Sequence, residues 1–257
     1  MAKIMVIANQ KGGVGKTTTA VNLAACIAEN EKDKNVKVLA IDLDPQGNMT
    51  SGLGMKGKFE QSIYDVMING VDPHDAVLQT MVENLSIIPA EVSLSGAEVE
   101  LVTMMAREQV LKRALEALKD EYNYIIVDCP PSLGLLTLNA LTAADTLLVP
   151  IQCEYYALEG LAQLMNTVKL VRTHLNPKLD VEGVVLTMYD ARTNLSSQVV
   201  AEVKKFFKNK VYDTVIPRSV KLGEAPSYGM PINVYDSKCA GAAAYKNLAH
   251  ELVTKGE

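Results

Sequence analysis

The stretch Gln10-Lys-Gly-Gly-Val-Gly-Lys-Thr-Thr18 follows a short apolar run and opens a helix-forming segment. Glycines allow the backbone to curl so that successive N–H groups converge on phosphate oxygens, and the helix N-terminus adds partial positive charge. In such a loop the lysine reaches the β- and γ-phosphates of a nucleotide, and the hydroxyl residue after it ligates Mg²⁺. The stretch therefore predicts a phosphate-binding loop, and a plain glycine-rich turn is the weaker alternative. The predicted nucleotide-binding residues of this loop are Lys11, Gly12, Gly13, Val14, Gly15, Lys16, Thr17 and Thr18.

Short apolar runs alternate with longer helical stretches along the rest of the chain. Most of these runs are rich in Val and Ile and lack polar alternation, which is typical of parallel strands buried on both faces. The alternation predicts an α/β fold with a single doubly wound, mostly parallel sheet and helices on both faces. The predicted strands are 3–8, 36–42, 85–89, 124–128, 146–151, 181–187 and 211–215, and the predicted helices are 16–29, 96–121, 133–143, 158–174, 195–208 and 240–255.

The composition excludes several classes of protein. The 257 residues carry 25 Lys+Arg and 30 Asp+Glu, and 48% are hydrophobic, which is an ordinary globular composition and not that of a disordered chain. The four cysteines form no C-x-x-C pair, so reduced thiols are expected rather than a structural metal site. No apolar run reaches the roughly 18 residues that a membrane span needs. We expect one cytoplasmic domain over residues 1–257.

Two of the predicted strands end in acidic residues. Asp42 and Asp44 are two positions apart, so their side chains point the same way at the carboxyl end of a strand, where a parallel sheet binds ligands. One carboxylate can hold the water shell of a metal while the other orients an attacking water. Asp128 ends the strand of residues 124–128, an arrangement typical of acids that support Mg²⁺. For Asp42 and Asp44 taken without the loop, capping of a turn is an equal alternative.

The run from Lys11 to Thr17 matches the pattern K-G-G-x-G-K-[ST] without exception. In this run the sequence resembles the deviant Walker A ATPases, a group of P-loop proteins that includes ParA, MinD, the nitrogenase iron protein and the arsenical-pump ATPase. The resemblance implies ATP and Mg²⁺ as cofactors and a dimer in which Lys11 reaches the nucleotide held by the other subunit. Gln10 departs from the usual P-loop pattern, which has glycine there. The implied catalytic residues are Lys11, Lys16 and Asp44, and the implied magnesium residues are Thr17, Asp42 and Asp128, the carboxylates through water.

The segment 192–221 is strongly basic in a chain whose net charge is −5, with seven basic side chains and two acids. On a helix from residue 195 the apolar side chains share one side and lysines project from the other. Such a face can hold a phosphate backbone without reading its sequence. A solubilising helix face is the alternative, and composition by itself favours it.

Two segments of this region, 188–194 and 216–231, closely resemble small chromosomal ParA proteins of the Soj type. The resemblance implies an ATPase that forms a homodimer with ATP, binds double-stranded DNA non-specifically on the nucleoid and partitions chromosomes or plasmids. A ParB/Spo0J-type protein would stimulate its slow hydrolysis. No helix-turn-helix domain precedes the first strand, so operator binding is not expected. Pro217 would lie near the adenine, and the expected DNA-binding residues are Arg192, Lys204, Lys205, Lys208, Arg218 and Lys221.

Two other functions are alternatives, namely a MinD-like positioning ATPase on membranes and an ATP-switched regulator of a replication or sporulation factor. The last predicted helix is short of basic and aromatic residues, which disfavours a membrane anchor. One departure from the family concerns Ala240, which stands where a basic residue is common. The loss of one phosphate contact there would lower the salt dependence of DNA binding by about one counterion.

Overall fold

The computed structural model describes residues 1–31, 34–154 and 160–255. The strands within these ranges are β1 (Lys3–Ile7), β2 (Val38–Asp42), β3 (Leu78–Gln79), β4 (Leu85–Ile88), β5 (Tyr124–Asp128), β6 (Thr146–Gln152), β7 (Asp180–Tyr189) and β8 (Val211–Pro217). The α-helices are α1 (Lys16–Asn30), α2 (Asn48–Gly52), α3 (Leu94–Leu101), α4 (Val110–Glu116), α5 (Leu135–Ala143), α6 (Leu161–His174), α7 (Asn194–Phe207), α8 (Val220–Glu224), α9 (Ile232–Tyr235) and α10 (Ala240–Lys255).

The strands form one sheet in the order β3-β4-β2-β5-β1-β6-β7-β8. The strand pairs are parallel except that β3 runs antiparallel to β4. The prediction of a doubly wound, mostly parallel α/β sheet is confirmed. Because β2 and β5 are neighbours, Asp42 lies in register with Asp128. The two predicted acidic positions therefore come together at the carboxyl ends of these central strands.

Hydrophobic cores cover both faces of the sheet. Along a strand alternate residues point to opposite faces, so Val6 joins one core and Met5 the other. The core on the side of Val6 includes buried residues of α4, α5 and α6. The core on the side of Met5 includes buried residues of α1 and α10. Helices therefore pack on both faces, as predicted, and no helix among the described residues is long and apolar enough to cross a membrane.

The predicted helix 96–121 is wrong, because the chain forms two helices there. α3 ends at Leu101 and α4 begins at Val110, with a 3₁₀ turn (Arg107–Gln109) before α4 and a φ of 51° at Ala106. The buried side chain of Asn139 on α5 satisfies the backbone at this break. Its amide donates to the carbonyl of Arg107 at 2.8 Å, and its oxygen accepts from the N–H of Leu111 at 3.1 Å. A tertiary contact thus replaces the hydrogen bonds of a continuous helix.

The remaining differences concern short elements and boundaries. The sequence patterns did not predict β3, α2, α8 or α9, each of which has two to five residues. The first residues of the predicted helix 158–174 lie outside the described residues, and α6 is described from Leu161. Among the longer elements, the strand 124–128 and the helix 240–255 have the predicted bounds.

Candidate functional site

The loop between β1 and α1 exposes the N-terminus of α1 at the centre of the sheet edge. Gly13 and Gly15 have φ values of 74° and 87°, in the left-handed region that favours glycine. Gly15 caps α1 without any side-chain hydrogen bond, so the first N–H groups of this helix have no capping side chain. Unsatisfied N–H groups at a helix N-terminus make an anion-binding site. The loop that the sequence predicts to bind phosphate therefore has a backbone conformation suited to an anion, and the identity of that anion stays a prediction.

Three hydrogen bonds hold this loop against the sheet. The side-chain amide of Asn9 donates to the carbonyl of Pro150 on β6 at 2.7 Å, and its oxygen accepts from the N–H of Lys11 at 3.0 Å. On the other side, the hydroxyl of Thr187 on β7 donates to the carbonyl of Val14 at 2.8 Å. The neighbouring strands thus fix the loop before any ligand binds.

Lys16 is a buried cation inside the loop. Its side chain is 6% exposed, and its Nζ donates to the carbonyl of Lys11 at 3.1 Å. Burial lowers the pKa of this ammonium group, while Asp128 and Asp44 act in the opposite direction. A bound polyanion would stabilise the charged form.

The acids of β2 and β5 form a buried pair beside Lys16. The Asp42 carboxylate accepts from the N–H and the hydroxyl of Thr50 at 2.8 and 2.7 Å. Both oxygens of Asp128 are buried and have no hydrogen-bond partner among the described residues. Burial, and then the nearby charge of Asp42, raise the pKa of Asp128 well above its usual range, while the neighbouring Thr17 hydroxyl acts in the opposite direction without meeting the geometry of a full hydrogen bond. Burial also raises the pKa of Asp42. Two adjacent buried carboxylates favour a cation or a proton between them.

This donor set fits a hydrated magnesium ion. Mg²⁺ keeps several of its waters and is held by one or two carboxylates together with substrate phosphates. The buried oxygens of Asp128 and the neighbouring hydroxyl of Thr17 provide such a half-site, whereas Asp42 is already hydrogen-bonded to Thr50. A closed protein cage is not expected here, and the described residues contain no cluster of three or more His, Cys, Asp or Glu side chains suited to a metal.

Asp44 lies just beyond the buried pair. It is 7% exposed, its N–H donates to Asp42 at 3.2 Å, and its Oδ1 accepts from the N–H of Gln46 at 3.0 Å. The turn after β2 therefore holds one oxygen of the Asp44 carboxylate. The other oxygen has no hydrogen bond in the described part of the chain, and it can orient a water molecule.

A cavity of about 250 Å³ adjoins the loop on the side of β7 and β8. Gly15, Thr18 and Pro217 line it, so the residue predicted near the adenine lies next to the phosphate loop. Tyr245 of α10 also lines the cavity, and its hydroxyl is 3.2 Å from that of Thr19 in α1. Tyr245 was not predicted, because on sequence it is one apolar position of a helix near the C-terminus.

The six predicted DNA-binding side chains are all exposed. Lys204 and Lys205 project from α7, and Lys208 follows it with a φ of 52°. The apolar side of α7 is only partly buried, since Val203 is buried but Phe206 is 60% exposed, contrary to the sequence pattern. The other three predicted residues, Arg192, Arg218 and Lys221, lie in or near the turns after β7 and β8.

The central loop, the buried acids and the doubly wound sheet together define a P-loop nucleoside triphosphatase of the deviant Walker A type. The family described as AAA domain matches residues 2–181. The chain is 60% identical over 257 residues to the Sporulation initiation inhibitor protein Soj of Bacillus subtilis, covering 100% of both chains. It is 50% identical to the Chromosome partitioning protein ParA of Caulobacter vibrioides, over 98% of this chain and 94% of that protein.

A solved structure is similar over the whole chain. The Cobyrinic Acid a,c-diamide synthase of Mycobacterium smegmatis, solved with a bound ATP analogue and magnesium, has a TM-score of 0.86 and 37% sequence identity. The match covers 100% of this chain and 98% of that one. The protein belongs to the Soj/ParA family of chromosome-partitioning ATPases.

Proposed function

We propose that this protein hydrolyses ATP slowly, forms a homodimer when it binds ATP and Mg²⁺, and partitions chromosomes or plasmids as a dimer bound to DNA. The proposal rests on one observation, which is that three features lie together at the carboxyl ends of the central strands. These are the uncapped N-terminus of α1, the buried Lys16 and the buried carboxylate of Asp128, whose oxygens accept no hydrogen bond within the described residues. Together they suit the triphosphate and the magnesium ion of Mg-ATP. A neutral ligand would leave these charged groups uncompensated.

The chemistry of the site follows from charge and position. Phosphoryl transfer to water needs alignment and neutralisation more than covalent catalysis. The loop amides and Lys16 neutralise the β- and γ-phosphates, and Mg²⁺ supplies further positive charge when it is bound. Asp44 orients the attacking water. Thr17 and Asp128 would hold the ion, and Asp42 would act through its charge.

Lys11 is proposed as the group that links two subunits. Its backbone is held by Asn9 and accepts from Lys16, so the start of its side chain is fixed at the edge of the loop. The residue is only partly buried, which leaves its ammonium group able to reach a second chain. A triphosphate between two such chains would receive positive charge from both of them.

Light scattering with a non-hydrolysable ATP analogue and Mg²⁺ tests the dimer. The wild type should double its mass, Lys11→Ala should stay monomeric while it still binds nucleotide, and Lys16→Ala should lose nucleotide binding. Lys58→Ala removes an exposed lysine of another loop and is the control. A wild type that stays monomeric when saturated with the analogue would remove the proposal.

DNA binding is the second half of the proposal, supported by the exposed basic side chains at the ends of β7 and β8. Asp44→Ala should lower hydrolysis by at least about 100-fold, as for a lost catalytic base, and accumulate the ATP-bound form. A gel shift of this variant with an unrelated duplex should depend on ATP. Arg192→Glu should abolish the shift and retain DNA-independent hydrolysis. Absence of any ATP-dependent shift at low salt contradicts the DNA half of the proposal.

The ParB/Spo0J-type partner, the cytoplasmic and nucleoid location and the single-domain organisation remain proposals that rest on the family. A second candidate role is favoured by the name of the Bacillus relative, a sporulation initiation inhibitor. In this role the ATP state of the protein would switch its contact with a regulatory protein. Co-purification of such a partner without DNA, together with no stimulation by a ParB-type protein, would favour it.

A further inference from the structure

Four of the six proposed DNA-binding side chains are bound to carboxylates of the same chain. Three of these pairs join residues two or three positions apart, namely Arg192 with Asp190, Lys205 with Glu202 and Lys221 with Glu224. The fourth pair joins Arg218 to Glu154, 64 positions away, with 3.0 Å between the guanidinium and Oε1. This long-range pair can respond to events elsewhere in the fold, whereas the local pairs move with their own turns.

Arg218 belongs both to the lining of the cavity beside the phosphate loop and to the set of exposed basic side chains proposed to bind DNA. Arg218 lines the cavity beside Pro217, and its N–H donates to the carbonyl of Tyr189 at 3.0 Å. Its backbone is therefore fixed, and its side chain is the part that can change partner. Glu154 follows β6, the strand whose Pro150 carbonyl holds Asn9 at the start of the phosphate loop.

The carboxylate of Glu154 presents oxygens to Arg218 as a DNA phosphate would. A guanidinium that is hydrogen-bonded to a carboxylate has fewer donors left for a phosphate. Arg192 and Asp190 lie close by, and the pKa of Asp190 is lowered to about 2, first by Arg192 and to a smaller degree by Arg218. The two arginines and the two acids thus form one cluster with no net charge. A neutral cluster attracts DNA less strongly than two free arginines would.

We propose that Glu154 is a positioning residue that makes DNA binding depend on the nucleotide, because it competes with DNA phosphate for Arg218. Because Arg218 lines the cavity, a nucleoside that fills it takes up space beside the guanidinium, weakens the pair with Glu154 and so leaves Arg218 to DNA phosphate. The inference rests on the proposed DNA binding. Both side chains of the pair are about half exposed, 58% for Arg218 and 45% for Glu154, so the effect is that of a surface ion pair. Such pairs change an equilibrium by up to about fivefold.

The test compares the full chain with three substitutions and one double variant. A fluorescent duplex of arbitrary sequence is titrated at low salt, with and without Mg-ATP, and the ratio of the two affinities is measured. Glu154→Gln should tighten binding without nucleotide by about two- to fivefold and lower the ratio by the same factor. Asp213→Asn removes an equal charge from an exposed position of β8 and should leave the ratio unchanged.

The double variant separates competition for Arg218 from bulk charge. In an Arg218→Gln background, Glu154→Gln should have no further effect on binding without nucleotide. An equal effect in both backgrounds, or an equal effect of Asp213→Asn, overturns the inference. A Glu154→Gln protein that no longer dimerises with the ATP analogue also overturns it, since Glu154 would then act on the nucleotide. A wild type without ATP-dependent DNA binding would remove the proposed function as well, and that result differs from all of these.

Discussion

Asp128 illustrates how this protein places an unfavourable residue where its proposed function needs one. Asp128 accepts no hydrogen bond in the part of the chain that the structure describes, and a second buried carboxylate lies in register beside it. Both features lower the stability of a fold. Residues 125–128 of β5 are buried, so bulk water does not reach the carboxylate to compensate. The arrangement is costly without a cation and favourable with one.

Replacing Asp128 by Asn should therefore stabilise the protein in the absence of ligand. Removal of the charge relieves the repulsion from Asp42, and we expect the free energy of unfolding in urea with EDTA to rise by about 1–2 kcal/mol. The same variant should lose most of the stabilisation that Mg-ATP gives the wild type. Asp120→Asn, at an exposed acid, is the control and should change stability by less than about 0.5 kcal/mol. A destabilised Asp128→Asn protein in EDTA would contradict this account.

His74 predicts a pH dependence of stability. Its Nδ1 is 2.6 Å from Asp72 and its Nε2 is 2.7 Å from Glu121, so Asp72, and then Glu121, raise its pKa above 6.5. The folded state then binds the proton more tightly than the unfolded state. The stabilisation is complete below the unfolded pKa and is lost as the pH rises through the folded pKa.

Thermal unfolding of the wild type and His74→Gln between pH 5.5 and 9 measures this effect. The difference in melting temperature should be largest at the acidic end and should fall toward zero at the alkaline end. Gln cannot be protonated, so its own curve supplies the background of all other titrating groups. A difference that is constant over this range would show that the two carboxylates do not hold a charged imidazole.

At the scale of elements, the sequence predicted best where a local signal sets the boundary. α1 begins at the predicted residue, Lys16, because Gly15 can adopt the left-handed conformation that ends the loop. The break between α3 and α4 could not be predicted, since Asn139 of α5 satisfies it from outside the segment. The same distinction between local signals and packing applies to the residues of the candidate site. Asp42 and Asp128 follow from strand ends, whereas Thr50 and Tyr245 reach the site only through packing.

The contact between the end of α2 and the turn after α8 provides a test at this scale. Gly54 has a φ of 73°, and a Cβ there would lie 2.8 Å from the carbonyl oxygen of Gly229. Gly57 has a similar φ of 69° and open space around it, so it is a matched control. Gly57→Ala should cost about 1 kcal/mol from the backbone conformation.

Gly54→Ala should cost that amount and about 1–3 kcal/mol more from the close contact. Because the turn carries Ala225 and Pro226 beside the phosphate loop, nucleotide affinity should fall with it. Urea unfolding and nucleotide titration of both variants measure the two effects. Equal stability of the two variants would mean that the turn moves away without cost.

For the whole molecule, alternation of strands and helices predicted the class of sheet but not its order. The placement of β1 between β5 and β6 depends on which crossover passes over which face, and that is a property of packing rather than of any one segment. The order also leaves β8 at an edge. An exposed edge strand can pair with another chain.

Glu251 of α10 protects this edge. Its two carboxylate oxygens accept from the N–H groups of Asp213 and Thr214 at 2.8 and 3.0 Å. Glu251→Ala should cost about 1–2 kcal/mol, speed hydrogen exchange at these two amides and cause nucleotide-independent self-association. Glu116→Ala, which removes an acid paired with Lys119 at the surface, is the control for lost charge. Unchanged exchange at both amides would show that other groups protect the edge.

The cavity beside the phosphate loop has one wall from Gly15 and another from Tyr245. Gly15 is synthesised early and Tyr245 near the end of translation. A growing polypeptide therefore carries the phosphate loop long before it can form the complete cavity. A polypeptide that ends before residue 240 would contain the phosphate loop but lack α10 and therefore Tyr245. Because α10 also completes the core on the side of Met5, we expect such products to fold poorly and to bind nucleotide weakly.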